Sequence, residues 1–187
     1  MIRKVFGLVG PIASGKGTVV KILVEQGYTA YSLSDRIREE IRRQGLDITR
    51  ETLNTVSNEL RETLGADILA RRTAQLIEKE NPEFVAIDAI RNPAEVNFLK
   101  EKFGIKIIGI VADQKRRFEL FKNRGNNAAG IETFEQFKEL DDRELVQEGQ
   151  HKQQINECLK LADIIIENNG TIEDLKQKVQ EFIGPLA

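Results

Sequence analysis

An α/β fold built on a five-stranded parallel, doubly wound sheet is the expectation for this chain, and three observations carry it. Short apolar runs alternate with segments of helical periodicity along the whole length, the pattern of a parallel sheet covered by helices. The first apolar run passes through a glycine-rich turn directly into a helix. The later runs end beside polar or charged residues, and in such sheets ligands sit at the carboxyl ends of the strands. With 187 residues the chain is long enough for one domain, residues 1–187, with its own core.

The first strand is expected from Lys4 to Val9, followed by a helix that carries Val19, Val20, Leu23 and Val24 and stops at Gly27. Tyr28 to Leu33 reads as a short second strand. Asp35 to Gln44 reads as a helix with Ile37 and Ile41 on one face, closed by Gly45. Leu53, Val56, Leu60 and Leu64 fall at helical spacing, and Ala66 to Lys79 continues as a further helix. Phe84 to Asp88 is the third strand, ending in a carboxylate.

Asn92-Pro93 opens the next helix: Asn is a good N-cap, Pro suits the first helical position and Glu95 favours the positive helix end. Gly104 closes it before a strand from Ile105 to Val111. Lys115 to Lys122 reads as a helix, Arg124 to Gly130 as a loop, and Thr133 with Gln136 as a capping box. Ile155 and Leu159 suggest a helix before a fifth strand, Ala162 to Glu167. Thr171 and Asp174 cap a last helix with Ile172, Leu175, Val179 and Phe182 inward. On this topology Gly10, Ser34-Asp35, Asp88 to Arg91, Asp113 and Asn168 to Gly170 gather along one edge.

Composition narrows the function classes. The 28 basic and 30 acidic residues leave a net charge of −2, which points away from nucleic-acid and membrane surfaces. Cys158 stands alone, so neither an internal disulfide nor a Cys/His zinc cluster is expected. There is no leader-like N-terminus and no apolar run of membrane-spanning length, so a cytoplasmic protein is expected. No repeat or low-complexity tract is visible.

The chemistry starts at Gly10-Pro-Ile-Ala-Ser-Gly-Lys-Gly-Thr18. Gly10 and Gly15-Lys16 have the spacing of a phosphate-binding loop, in which successive backbone N–H groups point inward at phosphate oxygens. Gly10, Pro11, Ile12, Ala13, Ser14 and Gly15 form the curl, and the helix that starts near Lys16 adds its positive end. Lys16 brings a mobile ammonium to the β- and γ-phosphates. The generic pattern has Ser or Thr directly after the lysine to meet Mg²⁺; here Gly17 stands there and Thr18 follows. A carboxylate at a strand end beside such a loop, Asp88, suits Mg²⁺ held directly or through water.

These residues resemble the P-loop nucleoside monophosphate kinases, adenylate kinase among them, where Gly-Thr follows the lysine. Ser34-Asp-Arg-Ile-Arg38 looks like their Gly-Asp-x-x-Arg segment, which implies that Arg38 grips the acceptor's phosphate with Asp35 near the loop and the Mg²⁺ water shell. Asp88-Ala-Ile-Arg91 resembles their Asp-Gly-Phe-Pro-Arg segment, which makes Arg91 a second hook on the acceptor; Ala89 stands where the family has glycine. Arg124 matches the second arginine of the family's Arg-Leu-x-x-Arg, expected near the transferring phosphates. The first falls on Leu120, leaving that contact missing or supplied by Arg116 or Arg117. By the same likeness residues 34–80 form a helical acceptor-binding region, residues 125–150 a lid that contributes Arg143, and Gly170 lies where backbone passes along the adenine. Asp88-x-Ile-Arg-Asn-Pro-x-Glu-Val96 and Leu161-Ala-Asp163 are similar to small dephospho-CoA-kinase-related P-loop proteins and to kinase-like domains joined to some deoxycytidylate deaminases.

The resemblance implies ATP and Mg²⁺, a small phosphorylated acceptor, most simply a nucleoside monophosphate, and catalytic roles for Lys16, Arg91, Arg124 and Arg143. Metal roles fall to Asp88, Asp35 and Thr18. Two alternatives stay open: transfer to a ribose hydroxyl, as in dephospho-CoA kinases, with Asp35 as base, and a nucleotide-binding regulatory module with weak ATPase activity. The only histidine, His151, reads as a hinge or lid residue rather than a base. Arg38 and Arg42 also share a face that solvent alone explains, and Arg143 sits among acidic neighbours that pair with it equally well.

Overall fold

The computed structural model describes residues 2, 4–123, 130–145, 149 and 151–184. Five strands, β1 (Lys4–Val9), β2 (Thr29–Ser32), β3 (Phe84–Asp88), β4 (Lys106–Val111) and β5 (Ile164–Glu167), form one sheet in the order β2-β3-β1-β4-β5. Every neighbouring pair is parallel, with Gly7 opposite both Ile87 and Ile107 and Ser32 opposite Asp88. The strand order reverses at β1, so its carboxyl end opens a crevice between the ends of β3 and β4.

Nine helices are described: α1 (Lys16–Glu25), α2 (Leu33–Arg43), α3 (Arg50–Leu64), α4 (Ile68–Glu80), α5 (Pro93–Phe103), α6 (Gln114–Asn123), α7 (Phe134–Leu145), α8 (Ile155–Lys160) and α9 (Ile172–Ile183). The period of two along the strands divides the core between the sheet's faces. Val5, Val9, Val85, Ile87 and Ile107 pack with Leu33, Ile37 and Ile41 of α2, Leu69 and Ile77 of α4, Val96 and Leu99 of α5 and Cys158 of α8. Phe6, Leu8, Ala86, Ile108, Ile110 and Ile166 pack with Val19, Ile22 and Leu23 of α1 and Leu175, Val179 and Ile183 of α9. Burial pushes the Cys158 thiol far above its ordinary pKa, as suits a core residue.

The structure moves several expected boundaries. Leu33 opens α2 instead of closing β2, because it continues the buried stripe of Ile37 and Ile41 at helical spacing. Ile172 is 65% exposed: the stripe of α9 that meets the sheet is Leu175, Val179 and Ile183, and the turn before it is exposed throughout. Leu64 is likewise 42% exposed, and Arg61 takes the buried place in the last turn of α3. Val24 of α1 also faces outward, where Ile22 is buried instead. The capping boxes at Asn92/Glu95 and Thr171/Asp174 form as their residue types dictate. A further box, Thr49/Thr52, starts α3.

Among the described residues no helix is long and apolar enough to cross a membrane.

Candidate functional site

The loop between β1 and α1 is shaped by two positions that admit no side chain. Gly10 has φ 149°, and a Cβ there would lie 2.2 Å from the Ile110 carbonyl oxygen. Gly15 has φ 107°, and a Cβ there would lie 2.3 Å from Asn168 Nδ2. Ala13, at φ 57°, keeps the curl turning and packs its methyl against Phe121, Ile131 and Phe137. Lys16 Nζ donates to the carbonyls of Gly10 at 2.7 Å and Pro11 at 2.8 Å, so the ammonium lies across the mouth of the loop. Ser14 is fully buried and its Oγ has no hydrogen-bond partner among the described residues. Helix α1 begins at Lys16, so its positive end faces the same place.

Asp88 ends β3 beside this loop, and its buried Oδ1 has no hydrogen-bond partner among the described residues. Among the described residues no group of three or more His, Cys, Asp or Glu side chains is arranged to hold a metal. A cation here would therefore draw most of its ligands from phosphate oxygens and water, which is how Mg²⁺ is ordinarily held in phosphate-transfer sites. Asp88, with an unpartnered oxygen, fits that use; Thr18, half-buried in the first turn of α1, lies on the same element as Lys16. Asp35 is placed differently. It is exposed on α2 and accepts a 2.9 Å hydrogen bond from Arg38.

Beside the loop lies a cavity of about 390 Å³. Its walls bring together Ile12 of the loop, Arg38 of α2, Arg50, Asn54 and Arg61 of α3, Arg91 after β3, Glu144 of α7 and Gln153 before α8. Arg38 and Arg91, 53 positions apart in the chain and paired in the sequence reading, thus face one space. Ala89, at φ 62°, makes the left-handed bend that carries the chain from β3 to Arg91. Arg91 Nη1 donates to Gln153 Oε1 at 2.8 Å and lies 3.8 Å from Glu144 Oε2; Arg50 pairs with Glu144 Oε1. At the floor Arg61, 1% exposed, donates through Nε and Nη2 to Glu95 Oε1 at 3.1 and 2.8 Å. Glu95 Oε2 accepts from the backbone N–H groups of Arg91 and Asn92, so one buried carboxylate holds both α3 and the β3–α5 turn.

Helix α7 joins the two places. Arg117 of α6 is buried, donates to the carbonyls of Ala112 at 3.0 Å and Ile12 at 3.2 Å, and is paired in bidentate fashion with Asp141 of α7. Arg116 instead is paired with Glu119 on the outside of the same helix. Arg117 is therefore the α6 arginine that meets the loop. Asp141 and Glu144, three residues apart on α7, face the loop side and the cavity side respectively.

Other expected residues lie apart. Arg143 is exposed, lines no part of the cavity and has no partner among the described residues. Gly170 is exposed beside Asp174, and Asn168 makes the contact with the loop, its Nδ2 donating to Ser14 O at 2.9 Å. Arg124 lies outside the described residues, as do several positions of the 125–150 span. His151 lies with Asn92, Pro93 and Gln154 in a separate hollow. Arg50, Arg61, Glu144 and Gln153 were not anticipated. The legible signal was a charged residue inside an apolar stripe: Arg61 follows Val56, Ser57 and Leu60 on the buried face of α3, and Asp141 and Glu144 follow Phe137 on that of α7.

Comparison with known proteins agrees with this architecture. An AAA domain family model, AAA_17, matches residues 9–135. A UPF0200/UPF0201 protein of Archaeoglobus fulgidus is 35% identical over 188 residues, 98% of this chain and 56% of that protein, so the chain spans about half of that relative. A UPF0200 protein of Thermococcus kodakarensis is 31% identical over 191 residues, covering 100% of this chain and 98% of the relative. Among solved structures, a dephospho-CoA kinase from Campylobacter jejuni superposes with a TM-score of 0.54 at 19% identity, over 96% of this chain and 94% of that one. A shikimate kinase from Aquifex aeolicus superposes with a TM-score of 0.52 at 18% identity, over 96% and 95%. The structural likenesses establish a kinase-like P-loop fold.

Proposed function

The chain belongs to the AAA-domain P-loop family and to the UPF0200 proteins, and from that premise we propose that it transfers the γ-phosphoryl group of ATP to a small phosphorylated acceptor, a nucleoside monophosphate being the simplest. The carrying observation is the cavity in which Arg38, Arg50 and Arg91 share walls with Ile12 of the phosphate loop. A loop made for phosphates and an arginine-lined space that opens on it are the two halves a phosphotransferase needs. A regulatory nucleotide binder has no use for the second half.

In this reading the amides of residues 12–17 and Lys16 hold the β- and γ-phosphates. Asp88 and Thr18 order the waters of Mg²⁺, which would neutralise charge developing on the phosphate oxygens. Asp35, engaged by Arg38, serves to orient that guanidinium. Arg38 and Arg91 hold the acceptor's anion with planar donor forks. Arg117, fixed against the loop by Asp141, places positive charge beside Ile12. Arg124 remains the candidate for the transferring phosphates and Arg143 for the closing segment, which must exclude water during transfer. A phosphate acceptor needs no general base, since its oxygen is already a nucleophile.

A second reading, transfer to a hydroxyl, is favoured by one observation: the buried carboxylate of Glu144 lines the cavity, and a hydroxyl nucleophile needs a base.

Thermal shift tests the proposal. ATP–Mg²⁺ should raise the melting temperature, and a monophosphate should raise it further, a gain that Arg91→Ala should cut by reducing acceptor affinity about tenfold or more. An acceptor affinity untouched by Arg91→Ala, with ATP affinity lowered instead, would show that the two pockets have been exchanged.

A further inference from the structure

Two side chains that line the cavity, Arg61 and Glu144, each hold a buried polar atom, one a donor and one an acceptor. Arg61 Nη1 is buried and has no hydrogen-bond partner among the described residues, although Nε and Nη2 of the same guanidinium are held by Glu95. Glu144 Oε2 is buried and has no hydrogen-bond partner among the described residues, although Oε1 is held by Arg50; Arg91 lies 3.8 Å away, an ion-pair distance that is too long for a hydrogen bond. Both side chains line the same space, Arg61 at 1% exposure and Glu144 at 4%. A buried donor and a buried acceptor left unmade are costly in a folded protein and are rarely tolerated without purpose.

They do not satisfy each other. Each is already bound through its other atoms to a different partner, Arg61 to Glu95 and Glu144 to Arg50. Among the described residues the apolar lining is Ile12, Ile37, Leu53 and Ala89, so the cavity is not built for a hydrocarbon group. Its charges are also unbalanced. Arg61 is neutralised by Glu95 and Arg50 by Glu144, leaving Arg38 and Arg91 to face an anion, Arg38 shared with the exposed Asp35.

We propose that the acceptor is a phosphate monoester whose organic part presents a hydrogen-bond donor to Glu144 and a hydrogen-bond acceptor to Arg61, as a polyhydroxylated or nucleobase-bearing phosphate does and an alkyl phosphate does not. The proposal rests on the phosphotransferase reading for the anion and adds the part of the molecule that carries no charge. Glu144 is the residue that discriminates. Its carboxylate accepts from an O–H or N–H and repels a ligand that offers only lone pairs. If the phosphoryl group goes to a hydroxyl, that hydroxyl is one of the donors Glu144 would take.

Glu144→Gln separates this role from its rival, in which Glu144 merely fills the anion's place until substrate arrives. The amide keeps the size of the side chain, removes the charge and weakens the acceptor. Binding of inorganic phosphate, ethyl phosphate, ribose 5-phosphate and the four common nucleoside 5′-monophosphates is measured by calorimetry without ATP, on wild type and variant. For wild type, ribose 5-phosphate or one nucleotide should bind at least about tenfold more tightly than ethyl phosphate, and Glu144→Gln should erase most of that ratio. An unchanged ratio, with all ligands tightened alike by the lost charge, overturns the proposal and leaves the phosphotransferase reading standing. A wild type that binds none of the monoesters overturns both. Should Glu144→Gln fail to fold, Glu144→Asp retracts the carboxylate by one methylene at constant charge, and the same ratio decides.

Discussion

The phosphate loop and the acceptor cavity are neighbours that are built by opposite means. The loop is nine consecutive residues, Gly10 to Thr18, whose working groups are mostly backbone. Its shape depends on two glycines that cannot carry a Cβ without meeting Ile110 or Asn168. The cavity draws its side chains from α2, α3, α7 and three connecting segments, and its ties span 94 residues for Arg50–Glu144 and 99 for Gln153–Asn54. One site is a local conformation and the other is a tertiary assembly held by buried ion pairs. The difference teaches where each is vulnerable: the loop to changes of backbone or of its one ammonium, the cavity to any change that leaves a buried charge unpartnered.

Lys16→Ala draws the contrast most sharply. It should lower phosphoryl transfer by a factor on the order of a thousand and weaken ATP binding, while acceptor binding stays near wild type. Steady-state turnover together with calorimetry for each ligand checks this; unchanged turnover would remove Lys16 from the mechanism.

Arg61→Ala should do the reverse. It leaves Glu95, which is fully buried, with a charge that among the described residues two backbone N–H groups still meet. Breaking such a pair from one side costs about 3–5 kcal/mol, or a fall in melting temperature on the order of 10 °C. Scanning calorimetry gives the number, and a fall of under about 1 kcal/mol would mean that the pair does not hold α3 to the β3–α5 turn.

How much of this was legible follows from the same contrast. The loop's spacing, the strand before it and the helix after it are all written within a few residues, so the P-loop could be read directly. Asp88 is legible as a carboxylate at a strand end and Arg91 through the segment it resembles, and the caps at Asn92 and Thr171 because capping is a local matter. Arg50, Glu144 and Gln153 were missed because their partners come from distant segments, which no local pattern records. Glu95 was read as a helix-end carboxylate; the capping is there, and its other oxygen carries the buried pair with Arg61. Arg143 is singled out by the resemblance, as the arginine a kinase lid contributes, yet the α7 residues that reach inward are Asp141 and Glu144, set by the helical face of Phe137.

The smallest effect concerns the bend between β3 and Arg91. Ala89 holds φ 62°, a left-handed angle that costs an alanine about 1–2 kcal/mol, and the resembled kinases have glycine there. Ala89→Gly should relieve that strain against the larger unfolded-state entropy of glycine, for a net gain of up to about 1 kcal/mol in urea unfolding, with transfer unchanged. A loss of stability would mean that the buried methyl of Ala89 contributes more through packing than its backbone angle costs.

The central claim is that the loop and the arginine-lined cavity act on two substrates in one reaction. Incubation with γ-phosphate-labelled ATP, Mg²⁺ and the phosphate-monoester panel, followed by separation of products, tests it most directly. The account predicts label on one organic phosphate, with ADP formed in equal amount and only in that acceptor's presence. Label found solely as inorganic phosphate, at a rate that no acceptor changes, would contradict it.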